Sequence, residues 1–177
     1  MRILLASIVL SLPLLAADAP APSKIWDGQI SSLEKEFIPL VEAMPADKFG
    51  FVPGGPLFNK SRTFGEQARH IATVVYEVAS AIQEVKNPVE AGPAENGPDL
   101  KSKEEIVKYC HDAFAAAHAA ALSLTAENQV GRVKSPFGSN PMTRMDLISI
   151  IMWHSFDHYG QMVVYARMSG VVPPASR

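Results

Sequence analysis

The sequence predicts an all-α protein: a four-helix bundle with long Pro/Gly-rich connecting loops, after an N-terminal signal peptide. Three observations carry that prediction. Apolar residues recur at helical spacing in four stretches, with no useful length of strand-like alternation between them. Three of these stretches open on Ser or Thr followed by Glu or Asp at the third place, the pattern of a capping box. The segments between them are dense in proline and glycine, which cannot continue a helix.

Residues 1–19 read as a leader. Arg2 supplies a positive start, Ile3 to Ala17 is apolar apart from Ser7 and Ser11, and small residues follow at Ala16, Ala17 and Ala19. This is the pattern of a secretory signal peptide cut between positions 16 and 19. The run is shorter than the roughly 20 residues of a spanning helix. The expectation is an exported protein, periplasmic or extracellular, with no stable membrane span in its mature form. The bundle is expected over residues 24–174, after a short tether.

The first helix is expected over 24–44. Ile30, Leu33, Phe37, Leu40 and Val41 form its apolar face, Pro39 bends it and Pro45 stops it. Residues 45–61 form a loop. The second helix runs from Thr63 to Val85, with Thr63 and Glu66 as its capping box and Phe64, Ala68, Ile71, Val75, Val78 and Ile82 as its stripe. After a loop over 86–101, Ser102 and Glu105 open a third helix that reaches Thr125. A loop over 126–142 leads to Thr143 and Asp146, which open the last helix. That helix ends near Ser169, with Gly170 suited to the position after it.

Composition narrows the function. The chain has 177 residues, 47% apolar and 19% charged, enough for one well-filled core. Net charge is −2 and no basic patch stands out, so nucleic acid is not an expected partner. A single cysteine, Cys110, excludes a disulfide framework and a multi-cysteine zinc site within one chain. It sits mid-helix among alanines and reads as a packing residue rather than a nucleophile.

The last helix holds the chemistry. A four-three spacing places Leu147, Ile151, His154, His158, Gln161, Tyr165 and Met168 on one inward seam. His154 and His158 lie one turn apart, close enough for two imidazoles to meet on one metal ion or to form a hydrogen-bonded core pair. A third ligand has to come from another helix, and His70, beside Gln67 and Val74 on the second helix, is the best placed; its other reading is a boundary histidine. His111 and His118 are too far apart to share one ion, about 10.5 Å along a helix, and read as surface residues. Ser155 stands where a zincin would carry glutamate, so a zincin-type protease is not expected. Gln161 is expected to support the metal ligands by hydrogen bonding, and Glu66 to orient His70 or serve the cap. Asp157 is expected to pair with a neighbouring helix, and Tyr165 to pack.

Two segments resemble the DinB-like (DNA-damage-inducible, YfiT-type) metalloprotein family. They are TFGEQARHIA, with His70, and WHSFDHYGQMVVYARMSGVVPP, with the H-x-x-x-H-x-G-Q run. The resemblance covers residues 24–174. It implies a four-helix bundle, usually a homodimer, that binds a divalent metal through His70, His154 and His158. Zinc or nickel is the expected ion, although imidazole suits iron and copper as well. Some similar proteins are thiol-S-transferases or isomerases that use low-molecular-weight thiols. The functional expectation is therefore an exported metalloprotein that activates a thiol or water for a small substrate. The alternative is a non-catalytic metal-binding or stress-related module. The leader sets this chain apart from the characterised members, because cytoplasmic thiols are scarce outside the cell.

Overall fold

The computed structural model describes residues 20–177, and the expected signal peptide falls outside the described residues. Four helices make the frame: α1 (Pro22–Ala43), α2 (Phe64–Gln83), α3 (Lys103–Leu122) and α4 (Arg144–Met168). Among the described residues, no helix is long and apolar enough to cross a membrane.

Each start and stop has a local cause. Pro22 begins α1 in the first turn, where its missing N–H costs nothing. The helix runs through Pro39 and ends at Met44, whose extended backbone is what a following proline imposes. All three expected capping boxes are formed, at Thr63/Glu66, Ser102/Glu105 and Thr143/Asp146. The first turn of α2 is satisfied further by the preceding loop, since Phe64 N–H donates to the Phe51 carbonyl at 2.9 Å and Gly65 N–H to the Phe49 carbonyl at 2.8 Å. The end of α4 is a Schellman motif. Gly170 takes φ +80°, its N–H donates to the Arg167 carbonyl, and Val171 N–H donates to the Ala166 carbonyl.

Two expectations for the end of α3 and the segment after it need correction. The third helix ends at Leu122 rather than Thr125, because Asn128 folds back: its Oδ1 accepts from Thr125 N–H and its Nδ2 donates to the Ser123 carbonyl. The 126–142 segment is not all loop. Arg132–Val133 (β1) and Met142–Thr143 (β2) pair antiparallel, Arg132 with Thr143 and Val133 with Met142. A pair only two residues long leaves no alternation in the sequence to read.

The packing order explains the connections. α2 packs against α3 and α4, and α1 packs against the same two helices, so α1 lies across the bundle from α2 and α3 across from α4. The α1–α2 and α3–α4 connections must therefore cross the bundle end, which a tight turn cannot do. The core between the helices is sealed by fully buried Phe37, Phe64 and Phe114, with the Phe37 and Phe114 rings 5.5 Å apart. Cys110 is fully buried there, its thiol against the Ala68 carbonyl, and burial pushes its pKa far above the usual thiol range. It is a packing residue, as the sequence indicated.

The seam on α4 is rotated from the one expected. The buried line runs through Leu147, Ile151, Ser155, Tyr159, Met162 and Ala166, whereas Gln161 and Met168 are exposed and His154 and His158 are half-buried at its edge. Apolar residues also stand on the outer face of this helix, including Trp153, Phe156 and Val164. With two apolar faces, the periodicity of α4 does not define which one points inward.

Candidate metal centre

α2 and α4 are neighbours, and they bring His70, His154 and His158 together. One ring nitrogen from each lies within 4.8 Å of the other two. Nε2 of His70 and Nε2 of His154 are 3.1 Å apart. Two nitrogens bound to one tetrahedral zinc stand about 3.3 Å apart, each about 2.0–2.1 Å from the ion. That pair thus already stands at nearly the spacing of two ligands, with the His158 nitrogen within 4.8 Å of both.

The proton positions follow from the partners. His70 Nδ1 lies 2.9 Å from the Glu95 carbonyl, which can only accept, so Nδ1 carries the proton and Nε2 offers a lone pair. His158 Nδ1 lies 2.5 Å from Gln67 Oε1, and the same reasoning frees its Nε2. His154 Nδ1 is buried with no hydrogen-bond partner among the described residues. Two imidazoles fixed with their Nε2 lone pairs available, beside His154 Nε2 at 3.1 Å from that of His70, form a donor set that a cation could share. Burial lowers the pKa of all three rings. His154 and His158 fall to about 4, helped by the charge each ring would place on its neighbours and by nearby Arg62. At neutral pH the rings are therefore uncharged, which is the metal-binding form.

A chain of amides supports the ligands from behind. His158 Nδ1–H donates to Gln67 Oε1, Gln67 Nε2–H donates to Gln161 Oε1 at 3.0 Å, and Gln161 Nε2–H donates to Asp157 Oδ2 at 3.3 Å. Gln161 thus acts one step removed from the histidine, and Asp157 partners its own helix rather than a neighbour. Glu66 gives its carboxylate to the Thr63 N–H at the cap, while the groups that hydrogen-bond His70 are the Glu95 carbonyl and His154. Tyr165 packs edge-on against Phe51. The residue that sequence reasoning passed over is Gln67. It stands three positions before His70, hence on the same face of α2, and that spacing was its available signal.

The α2–α3 loop closes the site from above. Ala94 and Glu95 both adopt left-handed backbone, at φ 55° and 49°, without being glycine. In that conformation the Glu95 carbonyl meets His70 and the Ala94 carbonyl accepts from Arg62 Nη2 at 2.7 Å. Arg62 Nε also donates to Asn96 Oδ1 at 2.8 Å, and Arg69 Nη1 to the Pro98 carbonyl at 2.8 Å. Gly97 locks the loop down: at φ +70°, an added Cβ would come within 2.2 Å of Thr73 Oγ1. A pocket of about 470 Å³ opens on His70 and His154, walled mainly by Val74, Ile150, Phe137 and Trp153 and also lined by Arg62 and Glu95.

The other two histidines stand apart from this cluster. His111 is exposed and faces Glu42 at 3.2 Å. His118 is not a free surface residue: it reaches from α3 to α1, with Nδ1 2.6 Å from Asp27 and Nε2 3.2 Å from Glu34.

The frame and the cluster define a class: a helical bundle with three histidines from facing helices, placed to hold a metal ion under an accessible pocket. The chain belongs to the DinB superfamily, whose sequence model matches residues 29–162. Its fold is similar to that of a DinB-like protein from Bacillus cereus, with TM-score 0.63, 20% identity and coverage of 85% of this chain and 92% of that one. A DinB-like protein from Bacillus subtilis gives TM-score 0.62 at 20% identity, covering 82% of this chain and 92% of its own. No curated protein matches the sequence.

Proposed function

We propose that this protein is an exported metalloenzyme that binds one divalent ion, zinc or nickel foremost, through His70, His154 and His158. The observation that carries the proposal is three uncharged imidazoles meeting beneath a pocket that a small molecule can enter. When bound, such an ion supplies a charge that lowers the pKa of a thiol or water beside it. The protein's own groups do the rest. Gln67 and the Glu95 carbonyl hold His158 and His70 in the tautomers that leave Nε2 free. The apolar walls limit water around the reacting group, and Glu95 is the carboxylate on the same pocket available to accept a proton. Cys110, buried and held as a thiol, takes no part. The open pocket favours this reading over a sealed, non-catalytic metal module. A homodimer is part of the proposal. It is supported by the outer face of α4, where Phe156, Val164 and Met168 stand exposed beside Gly160.

Metal analysis of protein purified without added chelator tests the centre. The expected content is about one ion per chain, lost in His154→Ala and kept in His111→Ala. Full metal retention in His154→Ala would overturn the assignment. Thiol-transfer and hydrolysis screens then follow, with activity expected to vanish on chelation, return with added metal and survive Cys110→Ala.

A further inference from the structure

Arg62 poses an electrostatic question. It sits at the loop end before α2, on the same pocket as His70 and His154. Its charge would repel a cation bound there. Two of its three nitrogens are fixed on neutral acceptors, Asn96 Oδ1 and the Ala94 carbonyl. Among the described residues no carboxylate forms a salt bridge with it, although Glu95 lines the same pocket. Nη1 makes no hydrogen bond among the described residues. The guanidinium is thus oriented by the loop and left with donors unspent. In folded proteins such a fixed fork matches a planar carboxylate.

The charge count points the same way. A divalent ion and Arg62 bring three positive charges, and Glu95 removes one, so the loaded pocket favours an anionic guest. The remaining lining is mostly apolar and aromatic, with Phe137 and with Trp153 edge-on to His154 at 5.9 Å between ring centroids. One guanidinium with part of its donors already used suits a carboxylate better than a phosphate, which would demand further donors or cations.

We propose that the pocket recognises a small organic carboxylate with an apolar or aromatic body. The carboxylate is held by Arg62, the body rests on Trp153 and Phe137, and the far end faces the histidine cluster. The proposal rests on the metal reading for the charge count and for what happens at that far end; the carboxylate hook itself is Arg62.

The probe is 3-phenylpropanoate, with neutral 3-phenylpropanamide as its control, added to zinc-loaded full-length protein. Binding is read by tryptophan fluorescence, with Trp153→Phe identifying which of the two tryptophans responds. The carboxylate is expected to bind at least about tenfold more tightly than the amide, and Arg62→Met, kept loaded by saturating zinc, to lose that preference. Should Arg62→Met fail to fold, Arg62→Lys serves. It keeps the charge without the fork, and the preference should shrink but not vanish. Equal binding of acid and amide by the wild type overturns the proposal. So does an undiminished preference in Arg62→Met, which would mean that the ion alone captures the carboxylate. Repeating the titration on zinc-free protein separates the two readings. A preference that persists in a protein unable to hold metal refutes the metal centre and supports the hook. A metal-loaded protein without any preference refutes the hook and leaves the centre standing.

Discussion

Gln67 offers the sharpest test of the centre because it touches a ligand without being one. Gln67→Leu keeps nearly the same volume at a site only 2% exposed, so the bundle should tolerate it. The substitution removes the acceptor 2.5 Å from His158 Nδ1 and the donor to Gln161. His158 can then choose either tautomer or rotate, and part of its neutral population no longer presents Nε2. Losing an outer partner of this kind typically lowers metal affinity about 10- to 100-fold, or about 1.4–2.8 kcal/mol. The orphaned N–H costs about 1–3 kcal/mol in the metal-free protein, partly offset by burying the leucine methyls. Zinc affinity measured by competition with a chromogenic chelator, alongside thermal melting of the metal-free protein, separates the two effects. Gln67→Glu supplies a charged acceptor and should bind zinc at least as tightly as the wild type. Gln161→Leu, one link further out, should cost less than Gln67→Leu. If Gln67→Leu binds zinc as tightly as the wild type, the amide chain does not support a metal ligand and the tautomer argument fails.

Other outcomes are expected elsewhere in the chain. Gly97→Ala combines a positive φ with a Cβ overlapping Thr73 Oγ1, so it should destabilise the fold by about 1–3 kcal/mol or more and loosen the loop over His70, read by urea denaturation and by weaker zinc retention. A near-wild-type midpoint would show that the loop does not press on Thr73. His118 has opposing influences: burial lowers its pKa, but hydrogen bonds to Asp27 and Glu34 outweigh it and leave the pKa raised. A raised folded-state pKa stabilises the protein below the unfolded value near 6.5 and loses that contribution as pH rises through the folded value. His118→Gln should therefore lose more stability at pH 6 than at pH 8.5, by up to about 1 kcal/mol for a partly exposed pair; equal losses at both pH values would refute the linkage. Phe114→Ala, at a fully buried ring stacked near Phe37, should cost about 3–5 kcal/mol by calorimetric or denaturant unfolding, and a loss below about 1 kcal/mol would mean that the core collapses around the cavity.

Much of the frame was legible because its signals are local. A capping box needs only two side chains and the first turn between them, so Thr63/Glu66, Ser102/Glu105 and Thr143/Asp146 could be read from spacing alone. The same holds for Gly170 and for the i,i+4 relation of His154 and His158. What failed was the phase of α4, where apolar residues on the outer face hid the line through Ser155, Tyr159 and Met162. Gln67 was in view as a neighbour of His70, but its role depends on His158, 91 positions away. Arg62 and Glu95 carried no local signal. Their roles arise from the path of the α2–α3 loop, which Gly97, Thr73 and Tyr109 determine by direct contact.

That loop also resolves a puzzle in the connections. The α1–α2 and α3–α4 links are long because they join helices on opposite corners of the bundle. No such reason applies between α2 and α3, which are adjacent and could be joined by a handful of residues. The chain instead spends residues 84–102 there, and three of them, Glu84 at the end of α2 and Ala94 and Glu95 above the cluster, sit in backbone conformations that cost free energy outside glycine. The strain has a local return: the carbonyls it exposes orient His70 and Arg62. A connection longer than the topology needs, strained where it meets the cluster and anchored by Arg62, Arg69 and Gly97, is an expected place for a function to be built. If the loop served only to join two helices, shortening it to a tight turn would leave zinc binding and carboxylate preference intact. The geometry requires that both be weakened while the four-helix frame survives.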